Sequence, residues 1–233
     1  MNPCALAEAP PVEQLDLDET VLGSRGWQLF DFRSISASAL TSVLLSLAGR
    51  LGVPTPTRVG GGPGDLLSPI KTEKAKPRSL SKLHEEGEFP LHIDTAHWPT
   101  PCRYLLIACF SPGSGGRPTY LLDTRRLSLR EDQTKLLQSA PLRVTNGRYS
   151  FFTTILSRTR PFVRVDPGCM TPTSADGAAA LAVLSRENWL SQIETVQWRA
   201  GMVLALDNWR TLHGRGRADR RDCDRKLLRI SIR

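Results

Sequence analysis

A mainly β fold with a few flanking helices, a β-sandwich or barrel braced from outside, is what this sequence predicts. Three observations carry that expectation. Short runs of β-forming residues follow one another at close spacing, separated by turn residues. Helical periodicity recurs in only two or three places. Asn146-Gly147, between Leu142-Arg143-Val144 and Tyr149-Ser150-Phe151-Phe152, is a strong two-residue hairpin pattern.

Taken in order, residues 1 to about 20 contain five acidic residues, no basic ones and a Pro-Pro pair, and read as a loosely ordered lead-in. Gly26 to Phe32 suits a first strand. Ser36 to Gly52 places Leu40, Val43, Leu44, Leu47 and Leu51 at helical spacing, with Ser at the start and Gly at the end, and predicts a helix. Gly60-Gly61-Gly62-Pro63-Gly64 reads as a loop, because it lacks the Gly-Lys-Ser/Thr tail of a phosphate-binding loop. Strands are expected near 65–71, 79–84, 89–94, 103–110 and 118–123. Ser128-Leu129-Arg130-Glu131 reads as a capping box opening a helix to about Gln138. After the hairpin come a strand near Pro161–Val165, a helix around Asp176–Trp189, and strands near 194–198, 202–206 and 226–232. No internal repeat is visible, so residues 1–233 are expected to form a single domain.

The formal charge is +8, but it is concentrated at one end. Arg210 to Arg233 holds nine basic and three acidic residues, leaving 22 basic and 20 acidic residues elsewhere. A nearly neutral body does not indicate a general polyanion-binding surface. Five scattered cysteines with no Cys-x-x-Cys pair suggest neither a zinc ribbon nor a disulfide framework. The longest wholly apolar runs, Tyr104 to Phe110 among them, are seven residues, far short of a bilayer span. With no signal-peptide pattern, the expectation is a soluble cytoplasmic protein.

The chemistry centres on Phe89-Pro90-Leu91-His92-Ile93-Asp94. On an extended strand, His92 and Asp94 share a face and Ile93 turns into the core. Alone, such a pair is as readily a surface pair. A third ligand is offered by His213, where the apolar strand Met202 to Leu206 gives way to a polar turn; a turn histidine bonded to backbone is its bland alternative. Two His and one carboxylate occupy one face of an octahedral ion and leave three positions open, as in non-haem Fe(II) oxygenases. A chelating 2-oxo acid in those positions needs its far carboxylate neutralised, which an arginine fork does well. Arg225 and Arg229, four apart on the last strand pattern, share a face; ordinary solvated charge is the competing reading.

His92-x-Asp94, the Gly115-Gly116-Arg117-Pro118-Thr119 turn, Asp207-Asn208-Trp209-Arg210-Thr211-Leu212-His213-Gly214-Arg215 and Arg225-x-x-x-Arg229, in that order, resemble the taurine dioxygenase/clavaminate synthase-like Fe(II)/2-oxoglutarate oxygenases. The resemblance covers roughly Phe89 to Arg233. It implies a double-stranded β-helix, or jelly roll. It further implies Fe(II) held by His92, Asp94 and His213, with 2-oxoglutarate and O2 as co-substrates. Thr119 would hydrogen-bond the 2-oxoglutarate C5 carboxylate, and Arg225 would form its salt bridge. Arg229 would touch 2-oxoglutarate or an anionic substrate group. The turn carries an extra Arg117-Pro118 before Thr119, and the chain is short for the family, which implies a substrate lid that is small or contributed partly by the N-terminal segment.

The activity so implied is hydroxylation of an unactivated C–H in a small amino-acid-like or secondary-metabolite substrate, with release of succinate and CO2. Desaturation and cyclisation are variants of the same chemistry. With Asp94 as ligand no iron position remains for chloride, so halogenation is disfavoured. Glu88, Phe89, His97, Trp98 and Arg229 are the candidate substrate contacts; His84 and the cysteines read as structural. A nucleic-acid oxidative demethylase is one alternative, disfavoured by the confinement of the basic residues to one end. A non-catalytic jelly-roll binding or sensing protein is another. A zinc-dependent hydrolase, which needs no 2-oxo-acid arginine, is the third.

Overall fold

In the computed structural model, residues 17, 19–57, 60–67, 84, 87–217 and 224–233 are described. The elements run α1 Glu19–Arg25, β1 Trp27–Asp31, α2 Ala37–Leu51, β2 Gly64–Leu67, β3 Phe89–His92, β4 Tyr104–Ser111 and β5 Thr119–Asp123. They continue with α3 Glu131–Ser139, β6 Leu142–Asn146, β7 Tyr149–Thr153, β8 Met170–Pro172, α4 Ala175–Val183, β9 Glu194–Val196, β10 Met202–Asp207, β11 Thr211–Arg215 and β12 Lys226–Ile232. A five-stranded sheet has the order β1-β10-β4-β12-β2, a four-stranded sheet β3-β11-β5-β9, and a small third sheet β7-β6-β8. All pairings are antiparallel.

The period-two alternation of the strands sorts the apolar residues into three layers. Leu105, Ile107 and Cys109 of β4, Leu204 and Leu206 of β10 and Leu227 of β12 meet Leu121, Val196 and Trp198 between the two larger sheets. The opposite faces of the same strands (Leu106, Ala108, Val203, Ala205, Ile230) are covered by Leu40, Val43, Leu44 and Leu47 of α2. On the far side, Leu91, Leu122 and Leu212 of the four-stranded sheet pack with Leu137 of α3 and Ala180 of α4. The result is a sandwich with helices on both outer faces, as the sequence predicts.

Helix α2 is capped by Ser36, whose side chain accepts from the Ala39 N–H, and closed by Gly52. Other expectations are corrected. Of the expected lead-in, residues 1–16 and 18 lie outside the described residues; Leu17 and Leu22 are buried with α2, α1 already begins at Glu19, and Arg210 donates to the carbonyls of Gly23 and Ser24 at its end. Helix α3 begins at Glu131, not Ser128, because Gln133 accepts the Arg130 N–H at 3.0 Å. Residues 161–165 form no strand. They are pinned by isolated backbone bonds instead: Val163 N–H to Trp209, Arg164 N–H to Ile155, and the Val165 carbonyl accepting from Ile93. The expected 176–189 helix breaks after Val183; Ser185 is extended, and a 3₁₀ stretch, Arg186–Gln192, follows. The strand expected at 79–84, and the end of the one at 65–71, fall outside the described residues apart from His84. Among the described residues no helix is long and apolar enough to cross a membrane.

Candidate metal centre

His92 ends β3 and His213 lies at the middle of β11, not in a turn; the two are cross-strand partners. Leu91 and Ile93 point into the outer cluster, which turns His92 and Asp94 to the interior. The imidazoles lie 4.5 Å apart between centroids. Their Nε2 atoms stand 3.7 Å (His92) and 3.9 Å (His213) from Asp94 Oδ1. These gaps are too long for hydrogen bonds and near the roughly 3 Å spacing of ligands about 2.1 Å from one ion. Among the described residues, His92, Asp94 and His213 are the only three His, Cys, Asp or Glu side chains found close enough together to hold an ion. All three are buried.

The electrostatics suit ligation. His92 Nδ1 donates to the Pro90 carbonyl at 2.9 Å, which leaves Nε2 free for a metal. Burial, then the neighbouring His92, hold the His213 pKa down to about 3, against the pull of Asp94. It is therefore neutral at physiological pH, as a ligand must be. Burial alone would raise Asp94, but Arg229, then His213 and His92, outweigh it and bring the carboxyl to about 2. The nearby thiols do not compete: burial pushes both Cys102 and Cys109 up to about 11. Two imidazoles and one carboxylate around a gap of this size fit a divalent transition metal such as Fe(II).

Arg229, on β12, donates from Nη1 to Asp94 Oδ2 at 2.7 Å and from Nη2 to Asp65 Oδ2 at 3.0 Å. Asp65, its cross-strand partner on β2, also accepts from Thr57. Arg225 immediately precedes β12, is buried, and lies close enough to Cys109 for its charge to oppose the burial effect on that thiol. Arg225, Leu227 and Arg229 thus share the inward set of the last strand. Thr119 is buried and accepts the Trp198 indole N–H at 2.8 Å.

The expected substrate contacts are distributed around this core. Glu88 is paired with Arg186 at 2.9 Å, and Phe89 lies under the Arg215 guanidinium at 3.4 Å. His97 stacks edge-on to Trp98, and Trp98 carries the Arg233 guanidinium 4.5 Å above its ring. Burial lowers the His97 pKa, while Asp166 and Asp94 act to raise it.

Sequence reasoning missed four residues that shape the centre: Asp65, Trp198, Arg164 and, within a quoted motif, Asn208. Asn208 accepts the Asp94 N–H at 2.9 Å and donates to the Asp94 and Cys102 carbonyls at 3.0 and 2.8 Å. Arg164, fully buried between Phe151 and Phe162, donates to the carbonyls of Ala96, Trp98 and Pro99. The two side chains hold the loop after His92 from both sides, and no local pattern announces either.

No protein-family model matches the chain, and no curated protein matches it significantly. Solved structures do. An asparagine oxygenase in complex with Fe(II), 2S,3S-3-hydroxyasparagine and succinate superposes with a TM-score of 0.76 at 17% identity, covering 92% of this chain and 77% of that one. The asparagine oxygenase AsnO gives 0.74 at 18% identity, covering 92% and 76%. The non-haem iron oxygenase OrfP, with Fe and α-ketoglutaric acid, gives 0.69 at 20% identity, covering 92% and 77%. At such identities the likeness speaks to architecture: this chain has the jelly-roll fold of these iron oxygenases.

Proposed function

We propose that the protein is an Fe(II)/2-oxoglutarate-dependent dioxygenase that hydroxylates an unactivated C–H of a small amino-acid-like substrate. The observation that carries this reading is the arrangement of charge in the interior. Two imidazoles and one carboxylate converge on one point, and a buried arginine and a buried threonine, Arg225 and Thr119, lie in the same interior. A metal alone would need neither; a metal carrying a dicarboxylate needs both. The solved neighbours add support, since they were crystallised with Fe, α-ketoglutaric acid or succinate, and with hydroxylated asparagine or arginine.

In this reading His92, Asp94 and His213 hold Fe(II), which together with 2-oxoglutarate and O2 supplies the oxidising chemistry. The protein orients and excludes. Pro90 fixes the His92 ring. Arg229 occupies Asp94 Oδ2, so the carboxylate offers Oδ1 to the ion. Thr119 accepts from Trp198 and so turns its own O–H toward the C5 carboxylate, whose charge Arg225 balances. The apolar side chains of Leu105, Ile107 and Leu204 keep water from the buried end. Glu88, Phe89, His97, Trp98 and the outer edge of Arg229 are the proposed substrate contacts.

The test is succinate formation by the purified protein with Fe(II), 2-oxoglutarate and a panel of free amino acids. Substrate-dependent succinate that Asp94→Ala abolishes is the expected result. Absence of any coupled turnover across the panel, or undiminished turnover by Asp94→Ala, overturns the assignment.

A further inference from the structure

A cavity of about 240 Å3 lies away from the candidate metal centre. Its apolar wall is made by Leu127, Leu129, Leu137, Leu156, Leu184 and Trp209. Leu137 and Leu184 belong to the buried cluster on the outer side of the four-stranded sheet, whereas His92 and His213 face the inner side. None of the proposed ligand, co-substrate or substrate residues lines the cavity.

Its polar groups are cationic. Arg125, Arg160 and Arg210 reach it, but Arg210 is committed to Asp123 and to two carbonyls. Arg125 and Arg160 are different. Neither makes an ion pair among the described residues, and Arg160 reaches only the Thr153 hydroxyl, at 3.3 Å. No acidic side chain lines the cavity. Apolar walls with exposed cations in the lining are the pattern of a site for an apolar body bearing one anionic group. At roughly 30 Å3 per water-sized unit, the space takes about eight heavy atoms.

We propose that this cavity binds a medium-chain monocarboxylate, the hydrocarbon against Leu137, Leu184 and Trp209 and the carboxylate between Arg125 and Arg160. The probe is octanoate, with octan-1-ol as its neutral counterpart, titrated into the full chain by calorimetry. One saturable octanoate site per chain is expected, with octan-1-ol at least tenfold weaker. Because Arg125 and Arg160 are exposed, the Arg125→Gln/Arg160→Gln variant is expected to stay folded, checked by circular dichroism, and to bind octanoate at least tenfold more weakly. Leu129→Trp, at the partly exposed lip, fills the mouth and is expected to abolish uptake of both. The proposal is overturned by an absence of saturable octanoate binding, by octan-1-ol binding equally well, or by unchanged affinity in either variant.

Discussion

Asn208 divides its amide between Asp94 and Cys102, and every one of those bonds is buried. Truncation to Ala leaves an N–H and two carbonyls unpaired, so Asn208→Ala is expected to destabilise the fold by about 3 kcal/mol, read by urea denaturation, and to weaken Fe(II) binding in the survivors. Trp198→Phe removes the donor that orients Thr119 while keeping most of the packing. On the proposed function its KM for 2-oxoglutarate rises several-fold with kcat little changed, which steady-state kinetics resolves. Had Thr119 only a structural role, stability would fall and KM would not move. At this scale the sequence was legible where period two decides: His92 and Asp94 share a face because Ile93 must be buried. It was silent where the partner is distant in sequence. Nothing near Arg229 announces Asp65, because their meeting depends on the register of β12 with β2, and Asn208 reaches back 114 residues to Asp94.

Among the elements, α2 and most of the strands followed from local pattern, since cap, periodicity and turn residues agree there; β8 was not foreseen, and β11 stands where a polar turn was expected. Ser36→Ala removes the α2 cap and is expected to cost about 1 kcal/mol, a melting shift of roughly 2–4 °C in a chain of this size. The turn before β10 is less tolerant. Gly201 has φ +88°, and a Cβ there would stand 2.2 Å from the Phe32 carbonyl oxygen. Gly201→Ala is expected to lower the melting temperature by more than twice the Ser36→Ala shift. The elements that misled were those where tertiary contacts override propensity. The Ala-rich run after Ser174 has every local reason to stay helical, yet Trp189 is buried and bonds to the Val183 carbonyl, which turns the chain back after Leu184. Residues 161–165 look like a strand, but the Arg164 side chain is drawn under the loop after His92 and the backbone of residues 163–165 bonds to three separate segments.

For the whole molecule, acid is the informative variable. His213 has a folded pKa of about 3 against an ordinary 6.5, so the unfolded chain takes up the proton first. Its contribution to stability is complete above pH 6.5 and is lost as pH falls toward 3. Asp94, at about 2 against 3.8, contributes fully above 3.8 and is lost as pH falls through 2. Both act in one direction but in different windows, and through His213 the metal-free protein is expected to lose melting temperature as pH falls from 6.5 to 4. His213→Gln, which cannot titrate, is expected to flatten that slope.

The three candidate metal ligands all belong to the four-stranded sheet and the loop leaving it. Arg229, and Arg225 just before it, belong to the five-stranded one. Without ligands, the Asp94–Arg229–Asp65 chain is the clasp between the two leaves at this end of the sandwich. On the proposed function, a co-substrate held at the candidate ligands of one leaf and at Arg225 of the other would add a second clasp. Breathing of the leaves then becomes a property of the ligand state: amide exchange in β3 and β12 is expected to slow together when Fe(II) and 2-oxoglutarate are both present, and to respond little to Fe(II) alone.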